Sequence, residues 1–226
     1  MANTDCRLCT YKLTAARSLS EVELEVLGGN CAQISFKKGE SIFREGTFAT
    51  NIVYLKSGLV KVHMKGPAGE KILRLTKAPA YLGLPTTFGV KVNQYSATAL
   101  TATNICFISL DTFREFIVGN GNFAYEVILD LCRNELADYQ RYTNMSQKQL
   151  PGRLAEILLC MSHDVFKSNE FELPLTINEL ADFISTSRES VSRQLSEFCK
   201  DGIINLNKKE LTIQNGEMLK IISQKG

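Results

Sequence analysis

Arg188, Glu189, Ser192 and Arg193 are the residues of this chain best suited by type and spacing to recognise another molecule. Arginine offers a planar fork of donors, glutamate accepts, and serine does either. At positions i, i+1, i+4 and i+5 they share one face of a helix, and Val191, Leu195 and Phe198 take the opposite one. Such a face suits base edges in a major groove: arginine forks onto guanine and glutamate accepts from cytosine. Thr186 and Ser187 precede this set, and Lys208 and Lys209 follow it at a place where phosphates could lie. Cysteine is the second chemistry, because Cys6 and Cys9 have the C-x-x-C spacing of a metal or redox pair. Each feature also has a plainer reading, a helical hairpin with a solvated charged side and an ordinary pair of thiols.

The elements that must position the polar face lie between Leu175 and Gly202. Thr176 and Glu179 form a T-x-x-E capping box that starts a helix carrying Leu180, Ala181 and Ile184. Ser185-Thr186-Ser187 interrupts it with residues that cap helices rather than continue them. The second helix runs to about residue 200 and ends at Asp201-Gly202, where glycine can take a left-handed conformation. Ile203–Leu206 and Leu211–Ile213 then flank Asn207-Lys208-Lys209-Glu210 as a hairpin, so the motif is a winged helix-turn-helix. A helix from Arg153 to Met161 and a polar loop through Asn169 precede it.

Upstream, Ser20 and Glu23 cap a helix carrying Leu24 and Leu27, ended by Gly28-Gly29. Between Ala32 and Leu110 the pattern becomes short apolar or alternating runs cut by turn residues, among them Ile34–Phe36, Ser41–Phe43, Ile52–Leu55, Leu59–Met64, Ile72–Leu75, Tyr95–Leu100 and Ile105–Ile108. Many short strands at such spacing imply an antiparallel, jelly-roll-like β-roll with room for a small ligand. A short helix to Val118 follows, and Gly119-Asn120-Gly121-Asn122 breaks it. A long helix then spans about residues 123–145, with Tyr125, Leu129, Cys132, Leu136 and Tyr139 at heptad spacing. A second stripe, Ala124, Ile128 and Leu131, is expected to pack on the roll, leaving the first as a dimer seam. The fold class is α+β, with an effector domain over 1–120, a dimerisation helix over 121–147 and a DNA-binding domain over 148–226.

Composition limits the function classes. The chain of 226 residues is 44% hydrophobic and 22% charged, as a globular protein is, and has no membrane-length apolar run. No secretory signal is evident, and seven cysteines, an odd number, point to a reducing cytoplasm rather than a disulfide framework. The net charge is only +2, and the ten Lys and Arg beyond Ser146 meet eleven Asp and Glu. DNA affinity must therefore come from the placement of charge. H-E-x-x-H, G-x-S-x-G, Walker and G-x-G-x-x-G motifs are absent, so no enzyme is expected.

A roll, a long helix and a winged helix-turn-helix, in that order, resemble the CRP/FNR family of bacterial transcription regulators. KKGESIFREG, IVYLKSGLVKV, LPGRLAEILL and SRESVSRQLSEF carry the resemblance across nearly the whole chain. It implies a cytoplasmic homodimer that binds an inverted repeat of double-stranded DNA under a small-molecule or redox signal and works with RNA polymerase. In the recognition helix, Ser192 where the cyclic-AMP receptor branch has glycine matches the FNR-like E-x-x-S-R form. The resemblance further implies that Glu189 and Arg193 contact a G·C pair, that Ser192 tunes the neighbouring base, and that Arg188 takes a base or a phosphate. The effector-pocket positions read Gly83, Leu84, Tyr95 and Ser96, with Asp138 and Tyr139 on the long helix. Cyclic-AMP binders carry an acid and an arginine where Leu84 and Tyr95 stand, so cyclic AMP in the usual mode is not expected. FNR-type sensors hold a [4Fe–4S] cluster on N-terminal cysteines and one central cysteine. Cys6 and Cys9 fit the first part, Cys106 matches the central position, and Cys31 is available as a fourth ligand. A cysteine in an apolar strand, as Cys106 is, is more often a buried small hydrophobe, and Cys132, Cys160 and Cys199 read as helix-packing core. The alternative function is a ligand or redox sensor acting through protein contacts, with little specific DNA binding.

Overall fold

The computed structural model describes residues 6–10, 12, 14–67 and 69–226. The chain divides into two compact units, Met1–Glu135 and Leu136–Gly226.

The first unit opens with a 3-10 turn, Cys6–Leu8, a short helix α1 (Thr14–Arg17) and α2 (Glu21–Gly29). The capping box starting α2 is complete: Ser20 Oγ accepts from the Glu23 amide, and the Glu23 carboxylate accepts from the Ser20 amide at 2.7 Å. Eight strands follow: β1 (Cys31–Phe36), β2 (Ser41–Phe43), β3 (Asn51–Ser57), β4 (Leu59–Gly66), β5 (Gly69–Lys77), β6 (Ala80–Leu82), β7 (Ser96–Ala99) and β8 (Thr103–Ser109). They form two four-stranded sheets in the orders β1-β8-β3-β6 and β2-β7-β4-β5, with antiparallel pairing throughout.

The run Ile52-Val53-Tyr54-Leu55 is apolar on every residue because β3 is buried on both faces. Val53 and Leu55 pack between the sheets with Val60, Val62 and Ile105. Ile52 and Tyr54 point the other way, into a core that contains Leu24 and Leu27 of α2 and Phe113, Phe123 and Val127 further on. Gly58 makes the turn from β3 to β4 at φ +102, where a Cβ would collide with Thr103 Oγ1 and stand 2.8 Å from the Ala102 carbonyl.

Strand β6 and helix α3 (Leu84–Gly89) were not expected from the sequence. Three residues are too few for periodicity to reveal β6, and its pairing with β3 makes the strand.

Helix α4 (Leu110–Gly119) is separated from the long α5 (Gly121–Gln147) by Asn120 alone. The Asn120 side chain accepts from the Phe123 amide and donates to the Ser18 carbonyl, so the cap lets α5 start two residues before the expected Phe123. The expected roll-facing stripe is corrected. Phe123 and Val127 are the buried pair, whereas Ile128 is 54% exposed and Leu131 36%. The aromatic core around Phe113 takes Phe123 edge-on at 5.1 Å between ring centres, and this fixes the rotation of α5 one residue away from the Ala124 stripe. Tyr125, Leu136 and Tyr139 are exposed along the remainder of the helix.

The second unit contains the end of α5, α6 (Leu150–Cys160) extended by a π-helical turn through Phe166, and β9 (Glu170–Glu172). Then come α7 (Ile177–Phe183), α8 (Arg188–Lys200), β10 (Ile204–Asn207), β11 (Glu210–Ile213) and α9 (Gly216–Lys225). The wing is three-stranded, in the order β10-β11-β9, where the sequence suggested two strands. Helix α9 was also not expected. It packs on α6 because Gly152 has no Cβ, which would lie 2.7 Å from the Gly226 carbonyl.

Candidate nucleic-acid interface and thiol site

Each end of the two-helix reader is fixed locally. Thr176 Oγ1 accepts from the Glu179 amide at 3.2 Å, and Glu179 Oε2 accepts from the Thr176 amide at 2.8 Å. Ser185 turns the chain at φ +55, and the Thr186 amide donates to the Ala181 carbonyl at 3.0 Å. Ser187 caps α8 by accepting from the Ser190 amide at 3.2 Å. Val191, Leu195 and Phe198 are buried, at 3% exposure or less, which turns Arg188, Glu189, Ser192 and Arg193 into solvent. Among the described residues, no hydrogen bond or ion pair engages the side chains of Arg188, Glu189 or Arg193. Their donors and acceptors are uncommitted, which is the condition for binding an outside partner.

The hairpin β10–β11 pairs Asn207 with Glu210, so Lys208 and Lys209 alone form its tip. Lys208 sits at φ +57, the left-handed conformation a two-residue hairpin requires. Both ammonium groups are exposed.

The thiol chemistry gathers at another place, in the first unit. In β1 and β8, Cys31 faces Ile108 and Gln33 faces Cys106, which puts both cysteines on the helix-covered side of their sheet. Cys6 brings its sulfur to 4.0 Å from that of Cys31. Cys6, Cys9, Cys31 and Cys106 all line one small cavity of about 40 Å³, with Leu24, Leu27, Tyr54 and Tyr81 as apolar wall. Lys12 and Lys56 line it too, two cations that the sequence did not single out. Lys56 Nζ donates to Gln33 Oε1 at 3.1 Å, beside Cys106. The signal for Lys56 is strand alternation with Tyr54, readable only once the register of β3 against β8 is known.

Hydrogen bonding with Cys31 and then burial push the Cys6 and Cys106 thiols far above the usual range, so both are neutral without a metal. Binding a metal there must release protons. Among the described residues no group of three or more His, Cys, Asp or Glu side chains is arranged to hold a single metal ion. A multi-iron cluster takes each thiolate at a different iron; Cys31 hydrogen-bonds both Cys6 and Cys106, so these three thiols would have to spread around such a group.

Cys132 and Cys160 are exposed and Cys199 half-buried, which corrects their expected place in the core. Their helices bury neighbouring positions instead, as with Phe198 beside Cys199.

Four of the expected effector-pocket residues, Gly83, Leu84, Tyr95 and Ser96, lie in the first unit. Gly83, at φ +77, accepts from the Thr86 and Thr87 hydroxyls, and Leu84 is buried in the helix-side core. Tyr95 lies 5.9 Å from the Phe43 ring, and that ring also abuts Gly83. Ser96 Oγ accepts from the Glu45 amide at 3.0 Å. Asp138 and Tyr139 belong to the second unit, where both are exposed.

An antiparallel roll, a long helix and a winged helix-turn-helix with an uncommitted polar face define a DNA-binding transcription regulator. A model of the cyclic nucleotide-binding domain matches residues 33–120, and one of the Crp-like helix-turn-helix domain matches residues 152–222. The fumarate and nitrate reduction regulatory protein of Yersinia pestis is 24% identical over 95% of this chain and 88% of its own. A CRP-like cAMP-activated global transcriptional regulator of Mycobacterium tuberculosis is 25% identical over 82% of this chain and 85% of its own. In fold, FixK2 from Bradyrhizobium japonicum superposes with a TM-score of 0.77 at 18% identity, over 85% of this chain and 96% of that one. The chain belongs to the CRP/FNR family. A sensor acting without specific DNA binding is not favoured. Among the described residues, no helix is long and apolar enough to cross a membrane.

Proposed function

We propose that the protein binds an inverted repeat as a homodimer joined along α5, and that a cluster held by Cys6, Cys9, Cys31 and Cys106 controls that binding. The exposed face of α8 carries the DNA reading. Arg193 and Glu189 contact a G·C pair, Ser192 tunes the next base, and Arg188 takes a base or phosphate. Thr186, Ser187, Lys208 and Lys209 hold the backbone. The long apolar seam Tyr125, Leu129, Cys132, Leu136 and Tyr139 supplies the two-fold contact, and RNA polymerase is the partner on DNA.

The signal follows from four thiols meeting in one cavity. An iron–sulfur cluster there would supply oxygen- or redox-sensitive iron. The chain contributes four sulfurs, an apolar wall that limits water, and the cations Lys12 and Lys56 near the thiolates. On this reading the protein belongs with the FNR-like branch and works in the cytoplasm. Cyclic AMP in the usual mode is disfavoured, because Leu84 and Tyr95 offer the cyclic phosphate no charged partner.

Selection from random DNA tests the reading set. Wild-type protein should return an inverted repeat, and Glu189→Ala/Arg193→Ala should relax or abolish its consensus. Recovery of the same consensus by the double variant would sink the assignment.

A further inference from the structure

The C-terminal end of helix α5 and Lys148, the residue after it, carry a row of polar side chains directed at the other helices of the second unit. Arg141, Asn144 and Lys148 recur at steps of three and four, hence on one face. The Arg141 guanidinium lies 4.1 Å from the centre of the Phe183 ring, and its Nη2 donates to the Phe183 carbonyl at 3.5 Å. Phe183 is buried and is the last residue of α7, the first helix of the reader. Asn144 Nδ2 donates to Glu156 Oε1 at 2.6 Å, and Lys148 Nζ donates to Glu156 Oε2 at 2.9 Å. Both oxygens of one α6 carboxylate are therefore taken by the end of α5 and the residue that follows it. Arg153 of α6 returns a bond to the Met145 carbonyl at 3.4 Å.

We infer that Arg141, Asn144, Lys148 and Glu156 are positioning residues that fix the reader at one orientation on the C-terminal end of α5. The inference rests on the proposed dimerisation through α5. Apolar contacts are non-directional, but a cation over a ring and a carboxylate bonded at both oxygens hold an angle as well as a distance. Where two copies meet along α5, that angle sets how far apart the two α8 helices enter the groove. These residues thus determine the tolerated half-site spacing, while α8 itself determines which bases are read.

The test uses a half-site obtained by selection, offered singly and as inverted repeats whose spacing changes one base pair at a time. Full-length wild-type protein should prefer one spacing sharply. Arg141→Gln/Glu156→Gln should flatten that preference by about tenfold, as expected from losing a cation–π contact and charge-assisted bonds, while single half-site affinity stays unchanged. Arg141→Lys, which keeps the cation over the ring, should restore part of the preference. An unaltered spacing profile in the double variant overturns the inference. Loss of single half-site affinity equal to the loss on the repeat also overturns it, since that would mark a general folding role. Sedimentation of the wild type separates the two layers: a monomer defeats the dimer reading and this inference with it, whereas a dimer with an unaltered profile defeats the inference alone.

Discussion

The sulfur of Cys6, in the first helical turn, lies 4.0 Å from the sulfur of Cys31 at the head of β1. Twenty-five positions apart in sequence, the two are brought together by α2, which folds the N-terminal segment back over its sheet. Cys106 and Cys9 complete the cavity. Protein purified without oxygen should hold about four iron and four sulfide per subunit. Cys31→Ser should lose most of both, whereas Cys132→Ser, exposed on α5, should keep them. Full iron content in the Cys31 variant would remove it from the ligand set.

The lysines of the wing and the arginine of the reading helix should separate by readout. Lys208→Ala and Lys209→Ala are expected to weaken all DNA sequences alike, each lowering the salt slope of log affinity by about one. Arg193→Ala should cost about 1–3 kcal/mol at one base position and leave the slope nearly unchanged. Equal losses on cognate and scrambled DNA for Arg193→Ala would contradict a base contact.

Leu136 is 66% exposed and lies in the C-terminal half of the apolar seam of α5. Leu136→Glu should convert the protein to monomers, because an unpaired carboxylate in a dimer seam is costly to bury. Sedimentation equilibrium reads the outcome, with circular dichroism confirming that the helices persist. A dimer of unchanged stability would place the interface elsewhere.

The Leu195 side chain, 3% exposed, anchors α8 to its unit. Leu195→Ala should destabilise that unit by about 2–5 kcal/mol in denaturant unfolding. A loss below 1 kcal/mol, on the order of a surface change, would show that the inner face of α8 is not a packed core.

Acid should loosen the start of α2. Bonds from the Ser20 amide and hydroxyl, with a smaller share from Asn120, hold the Glu23 carboxyl below its usual range. A depressed folded pKa adds stability that is complete above the ordinary glutamate range and is lost as pH falls through the folded value. Glu23→Gln should flatten the acid limb of stability against pH. An identical limb in both proteins would assign it to other carboxyl groups.

Most of what was legible in the sequence is local. The Thr176–Glu179 box, the Ser187 cap, the inner face of α8 and the Lys208–Lys209 tip all depend on residues within a few positions of each other. Helix α9 was equally local, with Asn215 as cap and Leu219 buried, and should have been read. What was not legible depends on register or rotation. Strand β9 exists because Phe171 pairs with Leu211, and three residues carry no period of their own. The rotation of α5 was misjudged by one residue because the choice between Phe123 and Ala124 is made by Phe113, ten positions away. The meeting of Lys56 with the thiols needs β1, β8 and β3 aligned side by side.

Strand β3, buried on both faces, has a consequence for signalling. It has no neutral side over its middle: Tyr54 and Lys56 border the thiol cavity, whereas Val53 and Leu55 fill the space between the sheets. A displacement of that backbone toward one core is a displacement away from the other. A ligand at the cysteines that moved this backbone would thereby be coupled to one inside the roll, and thermodynamic reciprocity would make that coupling equal in both directions.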